Sequence, residues 1–239
     1  MSLDISGNIV TNTVAKSIQT TNIVRRGLVT YLDASSTNSY PGSGTGWYDL
    51  TGNLYNGTLT NGPTYSSNNG GYIVFDGSND YVASLGNAIV PAGATSYTVS
   101  VWLYRIRNNA SYEELLSQWT SGNSGNSFYF GFDGSNVRFT DNWNPVTVSG
   151  AGNINVWMNL VGVNSGGSNA YIYLNGTLSA TKGSGLGYTG TGPLLIGRQG
   201  ALNSEYFGGN ISSVMVYNRE LSSTEILQNY NTQKGKFGL

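Results

Sequence analysis

The stretch "NISSVMVYNRELSSTEILQNY", from Asn210 to Tyr230, changes its hydrophobic period halfway along. In its first half the apolar residues mostly alternate, as in a β-strand, with Ile211, Val214 and Val216 on one predicted face. In its second half the apolar residues recur at helical spacing. These residues are Leu221, Ile226, Leu227 and Tyr230. The stretch therefore predicts a last strand that leads directly into a helix.

The predicted helix begins with a capping-box pattern, Ser222-Ser223-Thr224-Glu225. The Ser222 hydroxyl can accept a hydrogen bond from the amide of Glu225, and the Glu225 carboxylate can accept one from the amide of Ser222. The helix has about two and a half turns, which is too short to be stable alone in water. We therefore expect it to pack on a larger structure and to cover one of its edges or ends.

The chain before this unit consists of short apolar or alternating runs bounded by Gly, Asn, Ser or Pro. The run Tyr97 to Arg105 alternates, and "YIVFDGSNDYVAS" places two apolar runs on either side of a turn. The 34 glycines favour tight turns, because glycine accepts positive φ freely. Many short strands without intervening helices predict antiparallel sheets packed as a sandwich.

The composition excludes several classes of function. The chain has no His, which excludes Ser-His-Asp and Cys-His catalytic machinery and His-ligated zinc, and it has no Cys for disulfides. The net charge of −1 provides no electrostatic footprint for nucleic acid. No apolar run approaches the roughly 20 residues of a membrane span, so we expect no membrane insertion. The N-terminus lacks the pattern of a signal peptide.

The chain resembles the laminin G-like domains of the concanavalin A-like lectin/glucanase superfamily over roughly residues 27–239. The segments that carry the resemblance are "FDGSNDYV", "YTVSVWLYR", "WMNLVGV", "NAYIYLNGTL", "LLIGR" and "FGGNISSVMVYNRELSSTEILQNYN". The resemblance implies an all-β, two-sheet antiparallel jelly-roll sandwich with a short C-terminal helix. Family members often carry an acidic residue at the position of Ser212, so a metal site that needs a carboxylate there is in doubt.

A narrower resemblance concerns "GLVTYLDASSTNSYPGSGTGWYDLTGN" and the ending "YNTQKGKFGL". These segments are similar to structural proteins of tailed bacteriophages of the marine or cyanophage type. This similarity implies a virion protein made in the host cytoplasm, whose partners are other virion proteins or copies of itself.

Residues 1–26 are predicted to form an extended N-terminal arm ahead of a jelly-roll domain at 27–239. The arm has too few apolar residues for a core of its own, so it is either an assembly segment that lies on a neighbouring subunit or a disordered tail. Arg25 and Arg26 would mark the hinge between arm and domain. The candidate assembly residues are Ile5, Ile9, Val14, Ile18, Ile23, Arg25 and Arg26.

The carboxylates argue against a glycosidase. Such enzymes need two carboxylates about 5–5.5 Å or about 6.5–9.5 Å apart. No predicted strand carries acidic residues at alternate positions, and the adjacent Glu113 and Glu114 would point to opposite faces of a strand. We therefore predict a protein without enzymatic activity and with no required cofactor.

A structural calcium ion is a candidate ligand of the long loop after the first strand. Calcium takes six to eight oxygen ligands. The loop offers Asp49 and Asn53, and Asp33 can lie near them. The alternative is that Asp49 and Asn53 build a backbone turn, which is the commoner role of Asp and Asn in loops.

Glycan binding would need exposed aromatic rings beside polar side chains, because a ring face stacks on a sugar. The candidates in or beside polar loops are Trp119, Trp143, Tyr188 and Tyr206. The alternative for each is that it packs a loop over the edge of a sheet.

Two functions remain open from the sequence. The first is a non-enzymatic virion structural protein of a bacteriophage, a capsid decoration, fibre or tail-associated module, whose lectin-like domain contacts host-surface glycans. The second is a carbohydrate-binding module of a bacterial or viral surface assembly without a virion role.

Overall fold

The computed structural model describes residues 2–3, 9–10, 22–108, 111–119, 127–141, 144–188, 190–200 and 204–239. Two eight-stranded antiparallel sheets pack face to face. This confirms the predicted all-β sandwich. A separate two-stranded pair joins β1 (Ser2–Leu3) to β2 (Ile9–Val10) near the N-terminus. Ile9 lies on this pair, whereas Ile5, Val14 and Ile18 lie outside the described residues.

Sheet I has the strand order β13-β12-β11-β10-β17-β8-β5-β4. Its strands are β4 (Gly46–Trp47), β5 (Gly57–Thr60), β8 (Tyr81–Asn87), β10 (Tyr112–Trp119), β11 (Ser127–Asp133), β12 (Asn136–Asp141), β13 (Val146–Val148) and β17 (Pro193–Ile196). Because β17 lies between β8 and β10, the loop that follows β17 starts at the middle of this sheet.

Sheet II has the strand order β16-β15-β14-β9-β18-β7-β6, and β3 also pairs with β18. Its strands are β3 (Leu28–Asp33), β6 (Thr64–Ser66), β7 (Tyr72–Asp76), β9 (Tyr97–Arg105), β14 (Trp157–Ser165), β15 (Asn169–Leu174), β16 (Thr177–Lys182) and β18 (Gly208–Tyr217). The last strand of the chain is thus the centre of sheet II, hydrogen-bonded to β9 on one side and to β3 and β7 on the other.

A register shift in β18 explains why its alternation is imperfect in sequence. The pairing with β9 shifts between Ile211 and Ser213. A bulge of this kind adds one residue to the strand, so the alternation of inward and outward side chains is shifted by one position after it. Ile211 and Val214 therefore both face the core between the sheets, while Met215 belongs to a second apolar cluster on the other face of sheet II.

The core lies between the two sheets and is rich in aromatic rings. Tyr97 and Phe128 meet edge to face with centroids 5.9 Å apart, and Phe128 meets Phe139 in the same way at 5.8 Å. Edge-to-face pairs are the favoured geometry of buried rings. Among the fully buried core residues are Phe75, Val82, Val101, Leu103, Leu115, Phe130, Phe132 and Leu160.

The helix α1 (Ser223–Gln233) and a following 3₁₀ turn (Lys234–Phe237) cover the outer face of sheet II. Trp102 of β9 stacks on Tyr230 at 5.6 Å and on Phe237 at 4.3 Å. Ile226 packs with Met215 and Tyr217 in the second cluster. The helix is therefore present as predicted, but it covers a sheet face, because β18 carries apolar residues on both faces. None of the helices in the described residues is long and apolar enough to cross a membrane.

The last residues of the predicted arm belong to the sandwich, so the boundary at 26/27 was placed too late. Ile23 is buried in the cluster under α1. The Val24 amide donates to Asn229 Oδ1 at 2.8 Å, and the Tyr217 hydroxyl donates to the Val24 carbonyl at 3.0 Å.

Arg25 and Arg26 lie in this packed segment. The Arg25 carbonyl accepts from the Leu28 amide at 3.1 Å, and the Arg26 carbonyl accepts from Arg219 Nε at 2.9 Å. These bonds fix the backbone at the position predicted to be a hinge.

Candidate functional site

Two clefts lie beside the loop that follows β17: residues 198 and 200 of this loop line the first, and residues 204–206 line the second. Leu194 and Ile196 of β17 face the core, so Leu195 between them faces outward. The loop is attached to the sheet by a hydrogen bond from Ser117 Oγ to the carbonyl of Arg198 at 2.7 Å. Phe207 N donates to the Gly197 carbonyl at 2.9 Å, which closes the loop at its base.

The first cleft, here called the Trp119 cleft, has a volume of about 510 Å³. Trp119 is half-buried at its wall and Leu195 lies at the strand surface. The lining residues are Asn87, Trp119, Thr191, Gly192, Pro193, Leu195, Arg198 and Gly200. An aromatic ring, apolar side chains and polar groups thus meet in one concave site, which is the usual make-up of a small-molecule pocket.

Arg198 is the charged residue of the Trp119 cleft. Its guanidinium carbon lies 4.0 Å from the centroid of the Tyr81 ring, so the cation is stacked on an aromatic face. Its Nε is buried and has no hydrogen-bond partner. Among the described residues that line the cleft, none carries a carboxylate.

The second cleft, here called the Tyr206 cleft, has a volume of about 350 Å³. Its lining residues are Gly77, Arg107, Ser111, Tyr112, Ser204, Glu205 and Tyr206. Its arginine is already paired: Arg107 Nε donates to Glu113 Oε1 at 2.5 Å, and Nη2 donates to the Tyr206 carbonyl at 2.6 Å. The two clefts therefore differ in the charge that they present to a ligand.

An acidic pair joins β10 to the loop that follows β17, and one of its two members is fully buried. Glu114 of β10 is fully buried, forms an ion pair with Arg138 of β12, and shares a side-chain hydrogen bond with Glu205 of the loop. Burial is the main cause that raises the pKa of Glu114 to about 8, and the Glu205 charge adds to it, while Arg138 opposes both. If both side chains were ionised, Glu114 Oε2 and Glu205 Oε2 would each lack a hydrogen-bond donor. A proton on Glu114 satisfies both oxygens.

This pair also holds the loop backbone in an unusual conformation. Glu205 has a φ of 58°, in the left-handed region that few non-glycine residues adopt. The Glu114 amide donates to the Glu205 carbonyl at 2.9 Å. Glu114 of β10 thus contacts this end of the loop through both its backbone and its side chain.

Of the four predicted glycan-binding aromatics, Trp119 and Tyr206 line the two clefts and Tyr188 does not. Tyr188 is 1% exposed and its ring packs against Tyr97 and Phe128. Its hydroxyl donates to the carbonyl of Val90. A buried ring has no free face for a sugar, so the prediction for Tyr188 was wrong. Trp143 lies outside the described residues.

The candidate calcium residues already have protein partners. Asp33 Oδ1 accepts from the Ser35 hydroxyl at 2.6 Å, and Oδ2 accepts from the Tyr31 hydroxyl at 2.7 Å and from Lys236 Nζ at 3.0 Å. Burial raises the pKa of Asp33, but Lys236 and these hydrogen bonds outweigh it and hold the pKa below its usual range. This carboxylate is therefore charge-neutralised without a metal.

Asp49 organises the loop backbone. Its Oδ1 accepts from the amides of Tyr31 and Thr51, and its Oδ2 accepts from the Thr51 hydroxyl at 2.6 Å. Asn53 Nδ2 donates to the carbonyl of Val29 at 2.8 Å. These bonds are those of the turn that the sequence left as the alternative. The described residues contain no group of three or more acidic side chains placed to hold a metal ion.

The sequence did not indicate the charged residues of the clefts. Arg198 and Glu205 lie on the loop that follows β17, whereas Arg107 follows β9, and nothing in the local sequence marks these residues. A weak signal existed in "LLIGR", where a basic residue follows directly after a predicted strand. Basic residues at strand ends are common, so this signal has little weight.

A family model described as the concanavalin A-like lectin/glucanases superfamily, of the laminin G type, matches residues 76–227. No curated protein sequence matches the chain.

Several solved structures share the fold at low sequence identity. Domain 4 of AbnA, an extracellular arabinanase from Geobacillus stearothermophilus solved with arabinotriose, superposes with a TM-score of 0.67 and 15% identity, over 85% of this chain and 98% of that one. The binding domain of Paraclostridial Mosquitocidal Protein 1 superposes with a TM-score of 0.65 and 16% sequence identity, over 86% of this chain and 52% of that one. Trypanosoma rangeli sialidase superposes with a TM-score of 0.64 and 16% sequence identity, over 88% of this chain and 33% of the sialidase chain. This chain therefore spans about half of the toxin domain and a third of the sialidase. From the family match and the shared fold, the chain belongs to the concanavalin A-like lectin/glucanases superfamily.

Proposed function

We propose that this protein is a non-enzymatic glycan-binding domain that uses the outer face of sheet I. The observation that carries the proposal is the position of Trp119, a half-buried aromatic side chain at the wall of a cleft with polar and apolar lining. A sugar ring can stack on the indole while its hydroxyls bond to neighbouring polar groups. Tyr206 and Tyr112 give the second cleft the same combination.

The comparisons support this proposal at the level of the fold. Domain 4 of AbnA was solved in complex with arabinotriose, and its fold is shared over almost its whole length. Family membership leaves hydrolysis open, because the superfamily name includes glucanases. The acidic residues near the clefts support the proposal of binding without hydrolysis: Glu114 is fully buried and shares a hydrogen bond with Glu205. Catalytic pairs are separated by at least about 5 Å so that a sugar fits between them.

The biological setting that we propose is a bacteriophage particle. The resemblance of residues 27–53 and 230–239 to tailed-phage structural proteins supports a capsid decoration, fibre or tail-associated module in contact with host glycans. Residues 1–21 would then carry the contacts to other virion proteins or to copies of the chain. The alternative is a carbohydrate-binding module of a surface assembly without a virion role. Mass spectrometry of purified particles distinguishes the two, since only a virion protein is present in stoichiometric amount.

A glycan array followed by calorimetry tests the binding function. We expect the protein to bind a subset of glycans. Trp119→Ala should lower the affinity at least about tenfold, which corresponds to roughly 1.4 kcal/mol of binding free energy. Tyr206→Ala should lower the affinity for ligands of the second cleft. Tyr48→Ala is the matched control, because Tyr48 is 47% exposed and lines neither cleft. Absence of binding to any glycan, or equal losses in Trp119→Ala and Tyr48→Ala, would contradict the proposal. Turnover of a bound glycan by purified protein would contradict its non-enzymatic part.

A further inference from the structure

We infer that the Trp119 cleft selects acidic sugars, with Arg198 as the residue that receives a carboxylate or sulfate on the sugar ring. The inference rests on the proposed glycan-binding function and adds the class of ligand. It depends on a different residue from the one that carries the proposed function, so the two can fail separately.

The first step is that Arg198 has no counter-charge. The ion pairs within the described ranges involve Arg105, Arg107, Arg138, Arg219 and Lys236, and not Arg198. Its Nε is buried without a hydrogen-bond partner. A buried donor without a partner is costly, and native structures contain few of them. An anionic ligand would supply acceptors to this guanidinium group.

The second step is that the cation is held in place before any ligand arrives. The Tyr81 ring supports its guanidinium plane at 4.0 Å, and Ser117 Oγ anchors its carbonyl at 2.7 Å. Arginine presents a planar fork of donors that matches the two oxygens of a carboxylate. Because the side chain is already oriented, less conformational entropy is lost when an anion binds.

The third step is the position of the cation relative to the aromatic wall. Trp119 and Arg198 line one cleft, together with the amide side chain of Asn87. A sugar ring stacked on Trp119 would place a ring substituent near Arg198. The lining residues that the structure describes include no acidic side chain that would repel a negative charge.

The Tyr206 cleft provides an internal comparison. Its arginine, Arg107, bonds to the buried Glu113, and Glu205 adds a second carboxyl group to the lining. This cleft therefore offers less net positive charge. We expect this cleft to bind neutral sugars. The preference for acidic sugars would then depend on Arg198 and not on Arg107.

The test is calorimetric titration of the full chain with oligogalacturonate, a sulfated galactose oligomer and a neutral galactose oligomer of equal length. We expect at least about tenfold tighter binding of an acidic oligomer than of the neutral one, and a loss of this preference when salt is raised from about 0.05 M to about 0.5 M. Which acidic oligomer binds more tightly shows whether the site takes carboxylate or sulfate. This arm uses unmodified protein and needs no variant to fold.

Variants assign the preference to its residue. Arg198→Gln should bring the ratio of acidic to neutral affinity down to about one, and Arg198→Lys should keep only part of this preference. Arg26→Gln, at an exposed arginine away from the clefts, should change nothing. Equal affinities of unmodified protein for acidic and neutral oligomers would overturn the inference and leave the proposed function intact if binding still required Trp119. An acidic preference that survives Arg198→Gln would overturn it as well, and absence of all binding would overturn both.

Discussion

At the scale of single residues, buried ion pairs hold both faces of β10 in place. Glu113 and Glu114 are neighbours in sequence, yet they bond to different arginines: Glu113 to Arg105 and Arg107, and Glu114 to Arg138. A buried carboxylate without such partners would be strongly destabilising. The two sides of β10 are thus each held by a specific ion pair.

The protonation of Glu114 predicts how stability depends on pH. Its pKa is raised from 4.5 to about 8 by burial and by Glu205, against the opposing effect of Arg138; Tyr129 of β11 also faces the pair. The folded state therefore binds one proton more than the unfolded state between these values, and the free energy of unfolding should fall as pH rises through this window. The slope is at most roughly 1.4 kcal/mol per pH unit. Urea unfolding at a series of pH values measures it.

A matched pair of variants identifies the group responsible. Glu114→Gln carries a permanent donor and no charge, so it should flatten the dependence between pH 4.5 and about 8. Glu220→Gln, at a carboxylate bonded to the exposed Ser165 hydroxyl, should retain it. An unchanged slope in Glu114→Gln would show that another group titrates.

The hydrogen bonds already made by the carboxylates of Asp33 and Asp49 predict how the protein responds to calcium. Because Asp33 and Asp49 accept hydrogen bonds from protein donors on both oxygens, we expect EDTA to leave the melting temperature unchanged. Calcium binding at Asp33, Asn53 and Asp49 stays a prediction of the sequence that this measurement decides. A melting temperature that rises with added calcium and falls again with EDTA would support a structural ion.

At the scale of elements, the C-terminal helix is attached by its cap and by aromatic stacking. The Ser222 hydroxyl accepts from the Glu225 amide at 3.3 Å, and Glu225 Oε2 accepts from the Ser222 amide at 2.9 Å. Arg219 adds two bonds to Glu225 at 2.6 and 2.8 Å, and these are the main cause that lowers the pKa of Glu225 to about 2. The predicted capping box is confirmed.

Ser222→Ala should destabilise the protein by about 1 kcal/mol, because the first turn of the helix loses its side-chain acceptor. The change is measured as a lower midpoint of urea unfolding. Ser223→Ala, one residue further on and inside the helix, serves as the control. Equal midpoints for Ser222→Ala and unmodified protein would mean that the cap adds nothing to the helix once it is packed on sheet II.

Truncations separate the N-terminal arm from the packed segment. Removing residues 1–21 should leave the melting temperature nearly unchanged, whereas removing 1–26 should lower it by several degrees. The second deletion exposes the site of Ile23, which is 7% exposed, and leaves Asn229 and the Tyr217 hydroxyl without their bonds to Val24. Equal melting temperatures for the two truncations would restore the domain boundary at 26/27. If the 1–21 deletion still assembles normally, the predicted assembly role of the arm is wrong.

At the scale of the whole molecule, β18 joins parts of the fold that are far apart in sequence. It pairs with β3, β7 and β9, and its two faces contribute to both apolar clusters. The final strand of the chain must therefore be in place before sheet II is complete. Folds built from such non-local pairs are slow to form, because loop closure precedes the stabilising contacts.

We expect the sandwich to unfold as a single cooperative unit. Far-UV circular dichroism should show mainly β-structure, and its urea transition should coincide with that of tryptophan fluorescence, which reports on Trp47 and Trp102 in different sheets. Separate transitions would indicate that the two sheets lose their structure independently.

The class of fold, the last strand and the helix could be predicted from the amino-acid sequence. Alternation, turn residues and the Ser222 cap are local signals, each readable within a few residues. The sequence also limited the chemistry, because the absence of His and Cys does not depend on folding.

The tertiary structure alone decided the site. Tyr188 and Tyr206 occur in similar polar loops, yet one is 1% exposed in the core and the other lines a cleft, because burial depends on which strands lie opposite. Arg198 meets Trp119 through the pairing of β17 with β10, across roughly 80 residues of chain. Side-chain contacts of this kind arise from strand order and register, and a linear pattern does not contain them.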